Sequence, residues 1–108
     1  LPDEDLGNNA SVFVPFMEQT KATLTTPARI AQITQAICFP TMAFFDTSTG
    51  QYDIRVGSPL IPYPSHSSEA DAELMNSALE QLIHLHPTQY MWLMKLFKTQ
   101  PHGENWYQ

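Results

Sequence analysis

Two aspartates near the start of the chain have the spacing that most directly suggests catalysis. Asp3 and Asp5 lie two positions apart in the segment Pro2-Asp3-Glu4-Asp5-Leu6-Gly7, where proline and glycine favour a turn. A carboxylate held in a turn can orient a basic partner, keep a histidine in one tautomer, or bind a sugar hydroxyl. The alternative is a solvated acidic turn. We treat Asp3 and Asp5 as candidate catalytic residues.

A histidine followed by an acid gives a second arrangement, formed by His66 and Asp71. The acid follows the histidine by five positions, and with 11 acidic residues among 108 such a pair arises easily by chance. His66 falls in a proline-rich loop just ahead of a predicted helix, and Asp71 lies near the positive end of that helix, where the helix dipole explains it. We therefore expect His66 to be dispensable for chemistry.

Three basic side chains could contact an anionic substrate: Arg29, Lys95 and Lys98. For each of them the alternative is an exposed charge that only solvates a helix. No cysteine or acid stands at metal-ligand spacing from the remaining histidines, so we predict no metal site. The chain also has no glycine-rich phosphate loop, and nothing in it indicates a nucleotide cofactor.

Composition limits the classes of protein to which the chain can belong. Its 108 residues amount to one domain or to a piece of a larger domain. A net charge of -6 argues against nucleic acid as a partner, because binding phosphates requires Lys and Arg. No apolar run approaches the roughly 18 residues of a membrane span. The single cysteine, Cys38, lies in an apolar run and is expected to be a buried, inert thiol.

Hydrophobic patterning predicts an α/β fold, a mixed β-sheet with helices packed on it. Residues 11–16 read as an edge strand, residues 38–45 as a strand buried on both faces, and residues 51–57 as a strand with one buried face. The last two are expected to form an antiparallel hairpin. The polar residues 18–21 are assigned to no element.

Three helices are predicted around these strands. The first begins at Thr25 or Thr26 with Pro27 in its first turn, and its apolar stripe consists of Ile30, Ile33 and Ile37. The second begins after Ser67 or Ser68 and packs on the sheet. The third is expected at residues 88–97, where apolar residues recur at helical spacing.

Two groups of motifs resemble one known family. The run Pro87-Thr88-Gln89-Tyr90-Met91-Trp92, followed by Phe97-Lys98-Thr99-Gln100-Pro101, is similar to the C-terminal signature of the bacterial lipid A late acyltransferases. The family writes this signature as Pro-x-Gln-Tyr-x-Trp leading into Phe-Lys-Thr-x-Pro. The N-terminal turn and Ser11-Val12-Phe13-Val14-Pro15-Phe16 resemble its Pro-Asp-x-Asp-x-Gly and Ser-Val-Phe-Val-Pro-Phe motifs. The resemblance implies that residues 1–108 are the C-terminal part of a single glycerolipid-acyltransferase-like domain.

The resemblance also implies a reaction. Such enzymes move a fatty acyl chain from an acyl carrier protein thioester to a hydroxyl of a lipid A precursor in lipopolysaccharide synthesis. They need no cofactor and work at the cytoplasmic face of the inner membrane, where an upstream segment anchors them. The first aspartate of the family motif, here Asp3, belongs to an active-site group with an upstream histidine and acid. An isolated piece of 108 residues is therefore expected to be inactive.

Several positions depart from the family pattern. Phe44-Phe45 stands where an arginine pair is usual, and Leu96 and Gln100 replace basic residues, whereas an arginine is common at the position of Arg29. These losses leave two alternatives open. One is a diverged acyltransferase for another lipid acceptor, and the other is a non-catalytic binding or structural module on the same scaffold.

Overall fold

The computed structural model describes residues 1–90 and 94–107. Within these residues the α/β class is confirmed: two helices accompany two small antiparallel sheets of two strands each. In chain order the elements are β1 (Ser11–Phe16), β2 (Gln19–Leu24), α1 (Thr26–Thr34), β3 (Thr41–Asp46), β4 (Gln51–Val56), α2 (Ser68–Leu85) and a short 3-10 turn (Pro87–Gln89).

The first sheet is a hairpin of β1 and β2, in which Ser11 pairs with Leu24 and Phe16 with Gln19. The strand β1 was predicted, but β2 was not, because its sequence is polar. The turn lacks the usual Asn-Gly signal and instead holds Met17 and Glu18 at φ angles of 52° and 64°. The Met17 amide donates a hydrogen bond to the Glu80 carboxylate of α2, which supports this left-handed turn.

Helix α2 begins as predicted and packs on the first hairpin. Ser67 is its N-cap, and the Ser67 hydroxyl accepts a hydrogen bond from the Ala70 amide at 3.2 Å. The helix buries Ile83 against Phe16 of β1, and Leu96 of the C-terminal segment completes this cluster. Three distant parts of the chain therefore share one small core.

A buried amide adds a polar link between α2 and both strands of the first hairpin. The Asn76 side chain is 1% exposed, and its Nδ2 donates to the Pro15 carbonyl at 3.1 Å and to the Thr23 hydroxyl at 2.9 Å. The paired Nδ2 group favours one packing arrangement, because any shift would leave it unpaired as well, as Asn76 Oδ1 already is among the described residues. Asn76 thus fixes where the helix sits along the hairpin.

The second sheet confirms the predicted antiparallel hairpin, in which Thr41 pairs with Val56 and Asp46 with Gln51. The predicted burial was wrong. In β3 only Phe44 is buried, and all six residues of β4 are exposed, including Ile54 at 57%. The predicted sheet would have covered these strands, but this hairpin packs against α2 mainly through β3.

Helix α1 also matches the predicted position but not the predicted orientation. Pro27 lies in its first turn, yet Ile30 and Ile33 are 54% and 75% exposed, and the buried face consists of Ala28 and Ala31. The Thr25 hydroxyl bonds to the Ala10 carbonyl and caps no helix amide. Close packing therefore uses the small residues of this helix.

The helix predicted for residues 88–97 was wrong where it can be compared. The 3-10 turn ends at Gln89, and residues 94–97 form no helix, while residues 91–93 lie outside the described part of the chain. Tyr90 and Phe97 instead contact the Phe16 ring, with centroid distances of 6.4 and 6.3 Å. Tyr90 and Phe97, whose spacing suggested a helix, are instead placed by their contact with the Phe16 ring.

The Asn76 contacts lead to a stability prediction. The change Asn76→Ala leaves the Pro15 carbonyl and the Thr23 hydroxyl without their partner, so we expect the free energy of unfolding to fall by about 1 to 3 kcal/mol. The matched control is Ser77→Ala, an exposed neighbour on the same helix, which should change it by less than about 0.5 kcal/mol. Urea titrations measure both, and equal effects would contradict the assigned role of Asn76.

Candidate active site

The two candidate catalytic aspartates lie where the N-terminal turn meets the C-terminal segment. The Tyr90 hydroxyl donates to Asp3 Oδ2 at 2.8 Å. The Thr99 amide donates to Asp5 Oδ2 at 2.7 Å, and the Gly7 amide donates to Asp5 Oδ1 at 3.0 Å. The structure therefore brings together the two ends of the chain on which the sequence motifs were found.

The two carboxylates differ in how many of their oxygens accept hydrogen bonds. Asp5 is 5% exposed, and both of its oxygens accept backbone amide hydrogens, so it fixes the shape of the turn. Asp3 is half-buried and uses only Oδ2. Its Oδ1 has no hydrogen-bond partner among residues 1–90 and 94–107, so it can accept a bond from another group. The catalytic role assigned to each aspartate from the sequence stays a prediction.

Two residues beside this turn were not among the candidates from the sequence, Tyr90 and Lys21. Burial raises the pKa of the Tyr90 phenol, and its bond to Asp3 acts in the same direction, so Tyr90 remains a donor over a wide pH range. Burial lowers the pKa of Lys21, while the nearby Asp5 and Asp3 carboxylates oppose that change. A lysine alternating with small or apolar residues in a strand-length segment was the available signal for Lys21.

Lys95 and Lys98 share one open, polar cavity of about 560 Å³. Both side chains are exposed. Thr99, which binds Asp5, also lines this cavity, so the two lysines are tied to the acidic turn. Of the three predicted anion contacts, these two are brought together.

Arg29 lies elsewhere, on a separate polar cavity of about 370 Å³ that is also lined by His66 and Asp71. Asp71 is 4% exposed, and its Oδ1 accepts the Ser65 amide at 2.7 Å. This buried contact gives Asp71 a structural role beyond the helix dipole proposed from the sequence. His66 is exposed and makes no described contact with Asp3.

An apolar cavity of about 260 Å³ lies next to the acidic turn, because Pro2 forms part of its wall. Cys38 also lines it and is only half-buried, so the prediction of a buried thiol was wrong. The rest of the lining is mainly apolar and includes Phe39, Leu60, Met75 and Leu79.

Metal ligation and membrane crossing were considered for the residues that the structure describes, and neither has a matching feature there. No group of three or more histidine, cysteine, aspartate or glutamate side chains in residues 1–90 and 94–107 is placed to hold a metal ion. Within the same residues, no helix combines the length and the hydrophobicity that crossing a membrane requires.

On this α/β scaffold, the carboxylate turn thus lies next to a cavity with two lysines and next to an apolar cavity. Comparison with known sequences gives the family. The profile described as "Bacterial lipid A biosynthesis acyltransferase" matches residues 1–99. The chain belongs to this family, as its motifs indicated.

Individual relatives agree with this assignment. A lipid A biosynthesis acyltransferase of Haemophilus influenzae is 34% identical over 99% of this chain. The lipid A biosynthesis myristoyltransferase and lauroyltransferase of Escherichia coli are 34% and 35% identical over 96% and 94% of it. The chain spans about a third of the length of these curated relatives, 32% to 34%, and corresponds to their C-terminal part.

The bond between Tyr90 and Asp3 leads to a prediction with a defined pH dependence. At neutral pH, Tyr90→Phe should lower the free energy of unfolding by about 1 kcal/mol, because a hydrogen bond to a carboxylate is lost. The phenol of an unfolded tyrosine ionises at about pH 10, whereas the phenol of folded Tyr90 stays protonated to higher pH. The stabilising contribution is thus complete below about pH 10 and is lost as pH rises through the folded pKa.

Denaturant titrations of wild type and Tyr90→Phe at about pH 8 and about pH 11 test this prediction. The difference between the two proteins should shrink at the higher pH. Tyr63, whose pKa burial raises to about 12, is present in both proteins, so its contribution cancels. A difference that stays constant or grows with pH would show that the phenol does not supply the stabilising proton.

Proposed function

We propose that this chain is the C-terminal part of an acyltransferase that moves a fatty acyl chain from an acyl carrier protein thioester to a hydroxyl of a lipid A precursor. The reaction would take place at the cytoplasmic face of the inner membrane, with the preceding part of the polypeptide providing the membrane anchor. Family membership supports the chemistry, and the open oxygen of Asp3 supports the position of the site.

The chemistry requires a base, a stabilised oxyanion and a leaving thiolate. A base removes the proton of the acceptor hydroxyl, whose oxygen attacks the thioester carbonyl carbon, and the tetrahedral oxyanion then collapses and expels the thiolate. In our proposal the base is a histidine upstream of residue 1. Asp3 would accept the hydrogen of that imidazole, which fixes its tautomer and stabilises its protonated form.

The single observation that carries this role is the unequal use of the two Asp3 oxygens. Oδ2 is held by Tyr90, which sets the direction of the carboxylate, and Oδ1 is left for a partner. Asp5, with both oxygens bound to amides, holds the turn in place. A turn that only solvated two charges would need neither contact.

The cavity of Lys95 and Lys98 is where we place the anionic part of a substrate. Two exposed ammonium groups and one carboxylate, that of Glu104, line this open cavity, so it carries a local excess of positive charge in a chain with a net charge of -6. A phosphate is a suitable ligand because lysine binds it as a point charge. The apolar cavity beside Pro2 would take part of the acyl chain, since apolar walls bind hydrocarbon without polar cost.

One observation favours the second candidate, an acyltransferase for a different lipid acceptor. Gln100 occupies a position where a basic residue is usual, and it is 7% exposed, with its Nε2 bound to the carbonyls of Thr20 and Phe97. A side chain used in this way inside the protein presents nothing to a phosphate. Fewer cations would suit an acceptor with fewer anionic groups.

The first functional prediction concerns Asp3. In the complete polypeptide, Asp3→Asn should lower kcat by roughly a hundredfold to ten-thousandfold, the range for groups that support proton transfer, while the fold is kept. Glu4→Gln, the same loss of charge at the next residue, is the matched control and should have little effect. Acyl transfer and circular dichroism are measured together. Near-normal turnover by a folded Asp3→Asn protein would show that the motif has a structural role in this chain.

The second functional prediction concerns the two lysines. Lys98→Met and Lys95→Met should each raise KM for the phosphorylated acceptor by about tenfold, or ~1.4 kcal/mol, with kcat almost unchanged. Lys98→Arg keeps the charge and serves as the control. If removal of the acceptor phosphates gives wild type the same KM as Lys98→Met, the lysines bind phosphate. A KM unaffected in either variant would place the anion elsewhere.

A further inference from the structure

Lys21 is buried in β2, at 0% exposure, while Lys95 and Lys98 are exposed. Its Nζ donates to two backbone carbonyls, that of Ala22 at 3.3 Å and that of Glu4 at 3.5 Å. The same atom lies 5.9 Å from the centroid of the Phe16 ring. Lys21 therefore connects the N-terminal acidic turn with the core of the protein.

Stability does not explain this lysine. An ammonium group has three N–H donors, and the contacts of Nζ are two long bonds to neutral carbonyls. The salt bridges within residues 1–90 and 94–107 join the amino group of Leu1 to the Glu4 carboxylate, and Asp53 to Arg55. Lys21 therefore has no direct ion pair there. A buried charge with such partners is usually less stabilising than an apolar side chain of similar shape.

The position of the accepted carbonyl suggests what the lysine does. Glu4 lies between Asp3 and Asp5, and its carbonyl belongs to the peptide bond that leads into Asp5. Holding this carbonyl fixes the backbone from which both carboxylates project. The Asp3 and Asp5 charges also act on the ammonium electrostatically, so attraction holds the turn against the core from the same side.

We propose that Lys21 is a positioning residue for Asp3: its ammonium group holds the acidic turn through the Glu4 carbonyl and through the charge of the two aspartates. This inference rests on the proposed role of Asp3. Tyr90 binds the Asp3 carboxylate itself, and Lys21 binds the backbone of the turn. A shift of the turn would move Asp3 Oδ1 away from its partner, which affects turnover more than substrate binding.

The test compares three variants of the complete polypeptide: Lys21→Met, Asp3→Asn and the double variant. Methionine keeps the length of the stem and removes the charge. We expect Lys21→Met to lower kcat by roughly tenfold to a hundredfold with KM for both substrates within about threefold, and to leave Tm equal or higher. If Lys21 acts through Asp3, the double variant should be no slower than Asp3→Asn alone. Glu18→Gln, on the exposed turn of the same hairpin, is the control and should keep wild-type kcat.

Every other outcome would overturn the positioning role of Lys21. If Asp3→Asn is slow but Lys21→Met turns over at the wild-type rate, the positioning role is wrong and the proposed function stands. If the two losses multiply in the double variant, or if Tm of Lys21→Met falls with its activity, Lys21 acts on the fold and the inference is overturned. The same holds if both Lys21→Met and Lys21→Gln fail to fold. If Asp3→Asn itself keeps wild-type activity, the role of Asp3 and this inference fail together.

Discussion

The burial of the Phe16 ring is the constraint on which the rest of the structure depends. This ring is fully buried and meets Ile83 of α2, Leu96, and the rings of Tyr90 and Phe97. Apolar burial has no preferred direction, but this cluster takes its members from the first hairpin, the long helix and the C-terminal segment. Once these parts meet at Phe16, the polar groups around them have few arrangements left. The bonds of Asp3 to Tyr90 and of Asp5 to Thr99 are made possible by this packing.

Local patterns predicted the elements that depend on local forces. The hairpin of β3 and β4 and the Ser67 cap of α2 came from turn residues and alternation, which act over a few positions. The strand β2 could not be found this way, because Lys21 and Thr23 are polar and become buried only through distant partners such as Asn76. The exposed faces of α1 and β4 were missed for a related reason. An apolar stripe indicates that a side chain can be buried, but the partner that buries it need not lie within the same stretch of chain.

In the candidate site, too, the sequence predicted the residue types but not the contacts that they make. The motifs were sufficient to select Asp3 and Asp5 and the cavity lysines Lys95 and Lys98 as candidates, because carboxylates and ammonium groups are residue types that such chemistry uses. It could not separate the roles of the two aspartates, since that difference depends on which backbone amides reach Asp5. Arg29, selected on the same basis as the lysines, lies on a separate cavity. Charge alone therefore predicts what a residue can bind, and only the fold determines what it is near.

The contacts that form the acidic site join residues 87 and 94 positions apart in the chain. Closing a loop of this length costs more chain entropy than closing a short one. Such contacts therefore form late in folding, after more local structure exists. The hairpin of β1 and β2 instead pairs residues that are close in the chain, so its closure costs less entropy than the contacts of the acidic site. During synthesis, Asp3 can gain its contact only after Tyr90 has been added, and Asp5 only after Thr99 has been added. The site therefore cannot form before the C-terminal motif has been translated, and proteolytic loss of that end would remove part of the Phe16 core together with the site.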